Sequence, residues 1–235
     1  MTHDIQKANL GKRIAAWFFD LFFVAALAVG CGFALSSILG YDGYNQTLES
    51  AYSRYETQYD TVFDITRAEY EAMTAVQKES YDAAYNALLA DEGAMSAYRM
   101  LVNLSLVIVA CSILLAMLIW ELFIPLFLGN GRTLGKKVFG LCLVRKDGGL
   151  LNNLQLFART VLGKFAIGTM IPVYVLLMLF WGSASPVGAA ILLGLPILQF
   201  LLLRFSSTGC VIHDLVSGTI VADKAALTLL NLTKD

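Results

Sequence analysis

Charge is scarce in this chain: Lys, Arg, Asp and Glu make up 15% of its 235 residues, where soluble domains carry roughly 25%. Histidine is scarcer still. With only His3 and His213, little is left for a His-based metal or catalytic centre. The four cysteines, at 31, 111, 142 and 210, are far apart and form no pair with metal-ligand spacing. Three lie in or beside apolar runs and read as small hydrophobes, with no disulfide framework implied. Bases and aromatics do not interleave, which excludes a nucleic-acid surface. A phosphate loop is also missing, because that motif needs two glycines with four residues between them, followed by Lys and then Ser or Thr. Here Gly131 and Gly135 have three residues between them, Gly129 and Gly135 have five, and Lys137 follows Lys136. No nucleophile stands beside a base. Nothing here points to an enzyme, a cofactor or a bound metal.

What the chain does have is apolar length. Four segments are long enough to cross a bilayer, which takes about 20 residues: Arg13–Leu39, Met100–Leu128, Leu156–Trp181 and Pro186–Leu203. A cleaved signal peptide is the rival reading of the first, since Ala28-Val29-Gly30-Cys31 loosely resembles a lipoprotein cleavage box. The run exceeds a signal core of about 7–15 residues, however, and Asp20 interrupts it. The third and fourth segments are so close that they read as a tight helical hairpin, with a re-entrant pair the alternative. Pro172 and Pro196 predict kinks inside them.

Charge segregates between the apolar segments. The N-terminal tail carries Lys7, Lys12 and Arg13, and the 129–155 loop carries Arg132, Lys136, Lys137, Arg145 and Lys146 against Asp147. The 40–98 stretch instead holds eleven acids and three bases. Because lysine and arginine mark the cytoplasmic side, both termini are expected there and the acidic stretch outside. The expected fold is all-α: a polytopic bundle of four transmembrane helices with a small helical extracytoplasmic insertion. Its parts are the tail and first helix (1–39), the acidic cap (40–98), the second helix (99–128), a basic interfacial loop (129–155), the hairpin of helices three and four (156–204) and a cytoplasmic C-terminal segment (205–235).

The cap holds nine of the ten tyrosines. Tyr52, Tyr55 and Tyr59 recur at helical spacing, as do Tyr81 and Tyr85. Thr66-x-x-Glu69 and Thr74-x-x-Gln77 fit the capping box that starts helices. Tyrosines that pack the cap onto itself and onto headgroups are favoured over a ligand site, since Tyr prefers membrane interfaces. In the 129–155 loop, Lys136, Lys137 and Arg145 with Val138, Phe139, Leu141 and Leu143 read as an interfacial element whose bases face anionic headgroups. Val138–Val144 is strand-like, and Asp147-Gly148-Gly149 signals a turn.

Five charges fall at membrane depth: Asp20, Glu121, Arg159, Lys164 and Arg204. An aspartate near a helix centre costs about 2.5–3.5 kcal/mol on insertion scales. Asp20 lies roughly 10 Å in from the cytoplasmic end at 1.5 Å per residue, and Glu121 lies at a similar depth, so the two carboxylates can share one layer. Arg204 reads as a base that snorkels to the headgroups. Asp20 and Glu121 need protein partners or water, and Arg159 and Lys164 enter from the same side.

Arg13 and Asp20, the run Arg132-Thr133-Leu134-Gly135-Lys136 with Gly140, and Asp214 in His213-Asp-Leu-Val-Ser-Gly-Thr219 together resemble the RDD family of bacterial membrane proteins. That family is named for an arginine at the start of its first membrane helix, an aspartate within that helix and a second aspartate later. The resemblance covers about 10–39 and 115–222 and leaves out 40–98. It implies an inner-membrane protein that transports a small cation or solute, sodium/proton exchange being the activity proposed within the family.

Two roles then compete for these charges. A carboxylate in a membrane is costly to ionise and can trade a proton for a cation, which makes Asp20 with Glu121 a candidate ion site supported by Arg159 and Lys164. Alternatively, Arg13, Asp20 and Asp214 form a structural ionic cluster in a scaffold, sensor or assembly factor. Asp214 is the expected partner of Arg13, leaving Asp20 to Glu121, Arg159 or Lys164. A homo-oligomer is also expected, with Gly30, Gly32, Gly188 and Gly194 offering small-residue surfaces.

Overall fold

The computed structural model describes residues 8–128, 131–146, 151–171 and 210–224, together with 174, 194, 197–202, 204 and 205. Two compact units are present: Phe33–Ile108, and Met1–Gly32 with Val109–Asp235. Most of the described chain is helical. Two helical stretches, Leu10–Ile38 and Glu92–Leu128, are long and apolar enough to cross a membrane. Helix α1 is Leu10–Ile38, and only Ala16 and Asp20 along it are buried. Trp17, Phe18, Phe22 and Phe33 are exposed, as expected of a helix whose outer face meets lipid tails rather than water.

The Phe33–Ile108 unit contains α2 (Tyr41–Tyr59), α3 (Arg67–Ala72), α4 (Ala75–Ala90) and the first half of α5 (Glu92–Met117). Both expected capping boxes form. Thr66 accepts from the Glu69 amide and Thr74 from the Gln77 amide, while each acidic or amide side chain reaches back to the capping amide. Some of the tyrosines turn partly inward, while Tyr44, Tyr85 and Tyr98 are exposed. Phe63 packs edge-on between Tyr52 at 5.6 Å and Tyr81 at 5.8 Å, above a small core of Ala51, Leu88 and Ala94. At the α4–α5 turn, Asp91 accepts from the Ala94 amide at 3.0 Å and the Tyr55 hydroxyl at 3.1 Å, and it pairs with Arg54. Those three N–H and O–H donors hold the Asp91 carboxyl below the usual carboxylate range, the Ala94 amide most strongly.

In the other unit α5 widens into π-helical turns over Leu118–Phe123 before α6 (Ile124–Leu128). Proline has no N–H, so Pro125 cannot serve the carbonyl of Glu121 four residues earlier. The Thr160 hydroxyl donates to that carbonyl at 3.1 Å instead. The chain continues through α7 (Leu134–Val138), β1 (Leu141–Arg145), α8 (Asn153–Phe157), a π-helical stretch Ala158–Gly168, α9 (Ile212–Ser217) and β2 (Thr219–Asp223).

The all-α expectation needs correction: β1 and β2 pair antiparallel, with Leu141 opposite Asp223 and Arg145 opposite Thr219. Four successive residues of each strand are buried, Leu141–Val144 and Thr219–Ala222. Runs of β-branched and aliphatic side chains suit such a two-sided burial. Ala16, Leu122, Leu141, Leu143, Leu156 and Val221 share one core. The strand-like reading of Val138–Val144 divides, its first residue ending α7 and its last four forming β1. The expected third span is described from 156 to 171 and at Tyr174, the fourth only at 194 and 197–202, and the kinks expected at Pro172 and Pro196 lie outside the described residues. Arg204 is exposed, with its guanidinium 5.6 Å from the Phe205 ring.

Candidate functional site: a buried charge cluster

Three carboxylates and four bases meet within the Met1–Gly32 and Val109–Asp235 unit. The first carboxylate is Asp20, only 4% exposed. Its Oδ1 accepts from the Trp120 indole N–H at 2.8 Å and the Gly135 amide at 3.0 Å, and its Oδ2 accepts from the Thr133 hydroxyl at 2.5 Å. The wide turn after α5 carries Trp120, whose ring stacks on Phe23 one turn along α1 from Asp20, with centroids 4.6 Å apart. Thr133 is also the N-cap of α7, accepting from the Lys136 amide at 3.3 Å. Helix α7 thus docks on α1 through one carboxylate.

That docking requires glycine at 135. A β-carbon there would lie 2.5 Å from the Ala16 carbonyl and 2.8 Å from Asp20 Oδ1, closer than real β-carbons come. Lys136 follows directly and is buried, with Nζ 3.2 Å from the Thr133 hydroxyl and 4.0 Å from Asp20 Oδ2. The expectation that Lys136 faces anionic headgroups is therefore wrong, because the first turn of α7 points it inward. Its neighbour Lys137 is the exposed base. Burial pushes the Lys136 ammonium down to about 7, the charge of Lys164 adding to the effect while Glu121 and Asp20 oppose it.

The second carboxylate is Asp214, 1% exposed. Arg159 binds its Oδ1, and Arg13 reaches its Oδ2 at 3.4 Å. The Val211 amide donates to Oδ2 at 3.1 Å, closing the first turn of α9, and Arg159 also donates to the Thr219 hydroxyl at 2.5 Å. Burial alone would raise Asp214, but Arg159, then Arg13 and the Val211 amide, outweigh it and hold the carboxyl well below its ordinary value. Burial and the Arg159 charge keep His213 far below its own ordinary value, hence neutral. A β-carbon at Gly163 would lie 2.7 Å from His213 Cα, so α9 packs on the π-helical stretch at glycine distance.

The third carboxylate is Glu121, which pairs with Lys164. In a π-helical stretch each residue bonds five along, so Arg159 and Lys164, five apart, share the face turned to the two carboxylates Asp214 and Glu121. This arrangement corrects two expectations. Asp20 and Glu121 are not one shared pair, since each has its own donors. Neither Arg159 nor Lys164 serves Asp20, because Asp214 and Glu121 hold them. Arg13 pairs with Asp214. Of the loop residues, Thr133, Gly135 and Lys136 enter the cluster, whereas Arg132 and Gly140 do not contact Asp20.

The RDD family model matches residues 7–218. The chain belongs to the RDD family. No curated protein and no solved structure matches it. As an RDD protein with two long apolar helices, it is a membrane protein. Arg13, Asp20 and Asp214, the charges on which the resemblance was read, divide between two neighbouring groups, one on each aspartate. Trp120 and Thr219 complete those groups and carry no charge that would single them out in a sequence. Among the described residues no group of three or more His, Cys, Asp or Glu side chains is arranged to hold a metal ion.

Proposed function

We propose that this RDD protein is a non-enzymatic, multi-pass protein of the bacterial inner membrane whose charge cluster is a structural latch. In this reading four helices span the bilayer, both termini are cytoplasmic and the 40–98 region is an extracytoplasmic cap. The protein serves as a scaffold, sensor or assembly factor, its cap contacting a partner and its basic cytoplasmic loops resting on anionic headgroups. One observation carries the choice over transport through Asp20: that carboxylate is 4% exposed and bound by three fixed donors, Trp120, Thr133 and Gly135. A cation would have to strip those donors away, each of which is worth about 1.5–3 kcal/mol to a charged acceptor. Trp120 in the wide turn after α5, and Thr133 with Gly135 at the start of α7, tie two separate chain segments to α1.

Reconstitution into vesicles tests the choice. The latch reading expects no sodium- or pH-gradient-dependent flux. Flux that Asp20→Asn abolishes while the protein stays folded would instead establish the carrier. Deleting 40–98 should remove the protein's cellular phenotype, and an intact phenotype would leave the cap without a role.

A further inference from the structure

The described part of the buried cluster is unbalanced. Among the described residues, Arg13, Lys136, Arg159 and Lys164 bring four cations to the three carboxylates of Asp20, Glu121 and Asp214. An uncompensated buried charge is expensive, and the usual escape is to neutralise one group. Arginine cannot lose its proton in a protein, which removes Arg13 and Arg159. Lys164 is in direct contact with Glu121. Lys136 has the weakest hold on a carboxylate: Asp20 Oδ2 is 4.0 Å away, and the closer partner of its Nζ is the Thr133 hydroxyl at 3.2 Å. A neutral amine is satisfied there equally well.

We propose that Lys136 is the proton-exchanging group of the cluster and that α7 is a pH-sensitive latch, docking on Asp20 more tightly when Lys136 is a neutral amine. The groups that face Lys136 are Asp20 from α1, Thr133 at the cap of α7, Glu121 from the wide turn after α5, and Arg159 and Lys164 from the π-helical stretch. Two of these are carboxylates that favour its charge and two are bases that oppose it, so burial decides. The downward push on its ammonium agrees with the geometry.

The sign follows from proton linkage. Docked, Lys136 has released its proton above about pH 7. Undocked and in water, it holds that proton to about pH 10.4. The docked state therefore binds fewer protons across this window, and docking strengthens with rising pH. The docking constant should rise up to tenfold per pH unit above pH 7 and level off below it. No flux is required, so the latch goes beyond the scaffold reading and does not depend on it.

The test uses the full chain in lipid nanodiscs. Hydrogen–deuterium exchange of the 133–139 amides is followed from pH 6 to 9 after correction for intrinsic exchange, in wild type and in Lys136→Met. Wild-type protection should climb above pH 7, and the variant should be protected to a pH-independent extent. Wild-type protection that stays level from pH 6 to 9, or a slope that survives in Lys136→Met, overturns the proposal. Should the variant fail to fold, ε-13C-lysine NMR of wild type decides. One lysine resonance titrating near pH 7 supports the latch, and midpoints above pH 9 for every lysine refute it. A near-neutral resonance that remains in Lys136→Arg would belong to another lysine and would refute it as well.

Discussion

Trp120 lies nearly parallel to Phe23, at 7° between ring planes, and gives its single indole N–H to Asp20 at 2.8 Å. An aromatic pair thereby aims a neutral donor at a buried charge. Trp120→Phe keeps the stack and removes the donor, so it isolates the hydrogen bond. The expected loss is about 1.5–3 kcal/mol, the range for a bond to a charged group. Asp20→Asn should cost more, about 3–5 kcal/mol, because its amide turns a donor toward the Thr133 hydroxyl or the Gly135 amide and unpairs Lys136. Thermal unfolding of the purified variants checks both, and the double variant should lose less than the sum of the singles. Strict additivity would mean the indole bond contributes nothing to holding Asp20.

Arg159 and Arg13 share Asp214 unequally. Arg159 is buried and bonds both Asp214 and Thr219, whereas Arg13 reaches Asp214 at 3.4 Å from the edge of the cluster. Arg159→Gln should therefore destabilise by about 3–5 kcal/mol, the cost of leaving a buried charge unpaired, and Arg13→Gln by less than half of that. The pH profile follows from Asp214, whose carboxyl lies well below its ordinary value. Stability from such a group is fully present above its unfolded value of about 3.9 and is lost only as pH falls below that. Unfolding of wild type between pH 8 and 5 should thus show no loss traceable to Asp214, and the difference between wild type and Asp214→Asn should shrink only below about pH 4.

How much of this was legible in the sequence depended on whether a residue carried charge. Asp20 stood out because an acid inside an apolar run is costly wherever it points, and Asp214 because the run around it resembles the RDD family. The partners of Asp20 did not. Trp120 is one aromatic among many in a membrane helix, and its donor role depends on a wide turn that periodicity does not reveal. Lys136 was misread because it lies within a run of bases. Only the cap at Thr133, which starts a helical turn there, directs Lys136 inward and Lys137 outward. The β1–β2 pair joins segments far apart in the chain, and a run such as Leu141–Val144 looks the same in a buried strand as in a helix. The capping boxes at Thr66 and Thr74 were readable because their logic is local.

Gly135 and Gly163 make the two closest helix approaches in the cluster, and each can be filled with one methyl group. Gly135→Ala sets a β-carbon 2.5 Å from the Ala16 carbonyl, and Gly163→Ala sets one 2.7 Å from His213 Cα. Both obstacles are backbone and cannot rotate away, so each variant should lose about 1–3 kcal/mol as the helices are forced apart. Gly43 in α2 has nothing within 4 Å of the same position, and Gly43→Ala should be neutral or stabilising by up to about 1 kcal/mol. Melting temperatures of the three variants make the comparison. A Gly135→Ala protein as stable as wild type would show that α7 does not dock on α1 at this distance.

The short helix α4 offers a test of the Phe33–Ile108 unit on its own. Its first turn depends on Thr74, which accepts from the Gln77 amide at 3.4 Å while Gln77 takes the Thr74 amide at 2.9 Å. Thr74→Ala removes the cap and should cost about 1 kcal/mol, and Thr74→Asp should restore most of it because Asp is at least as good an N-cap. The same helix carries Tyr81, which closes the aromatic group over Phe63. Fraying at Thr74 should therefore raise hydrogen exchange first in the opening turn of α4 and then around Tyr81, while the 133–139 amides keep their protection. Equal deprotection of both regions would mean that the two units open together rather than as separate cooperative parts.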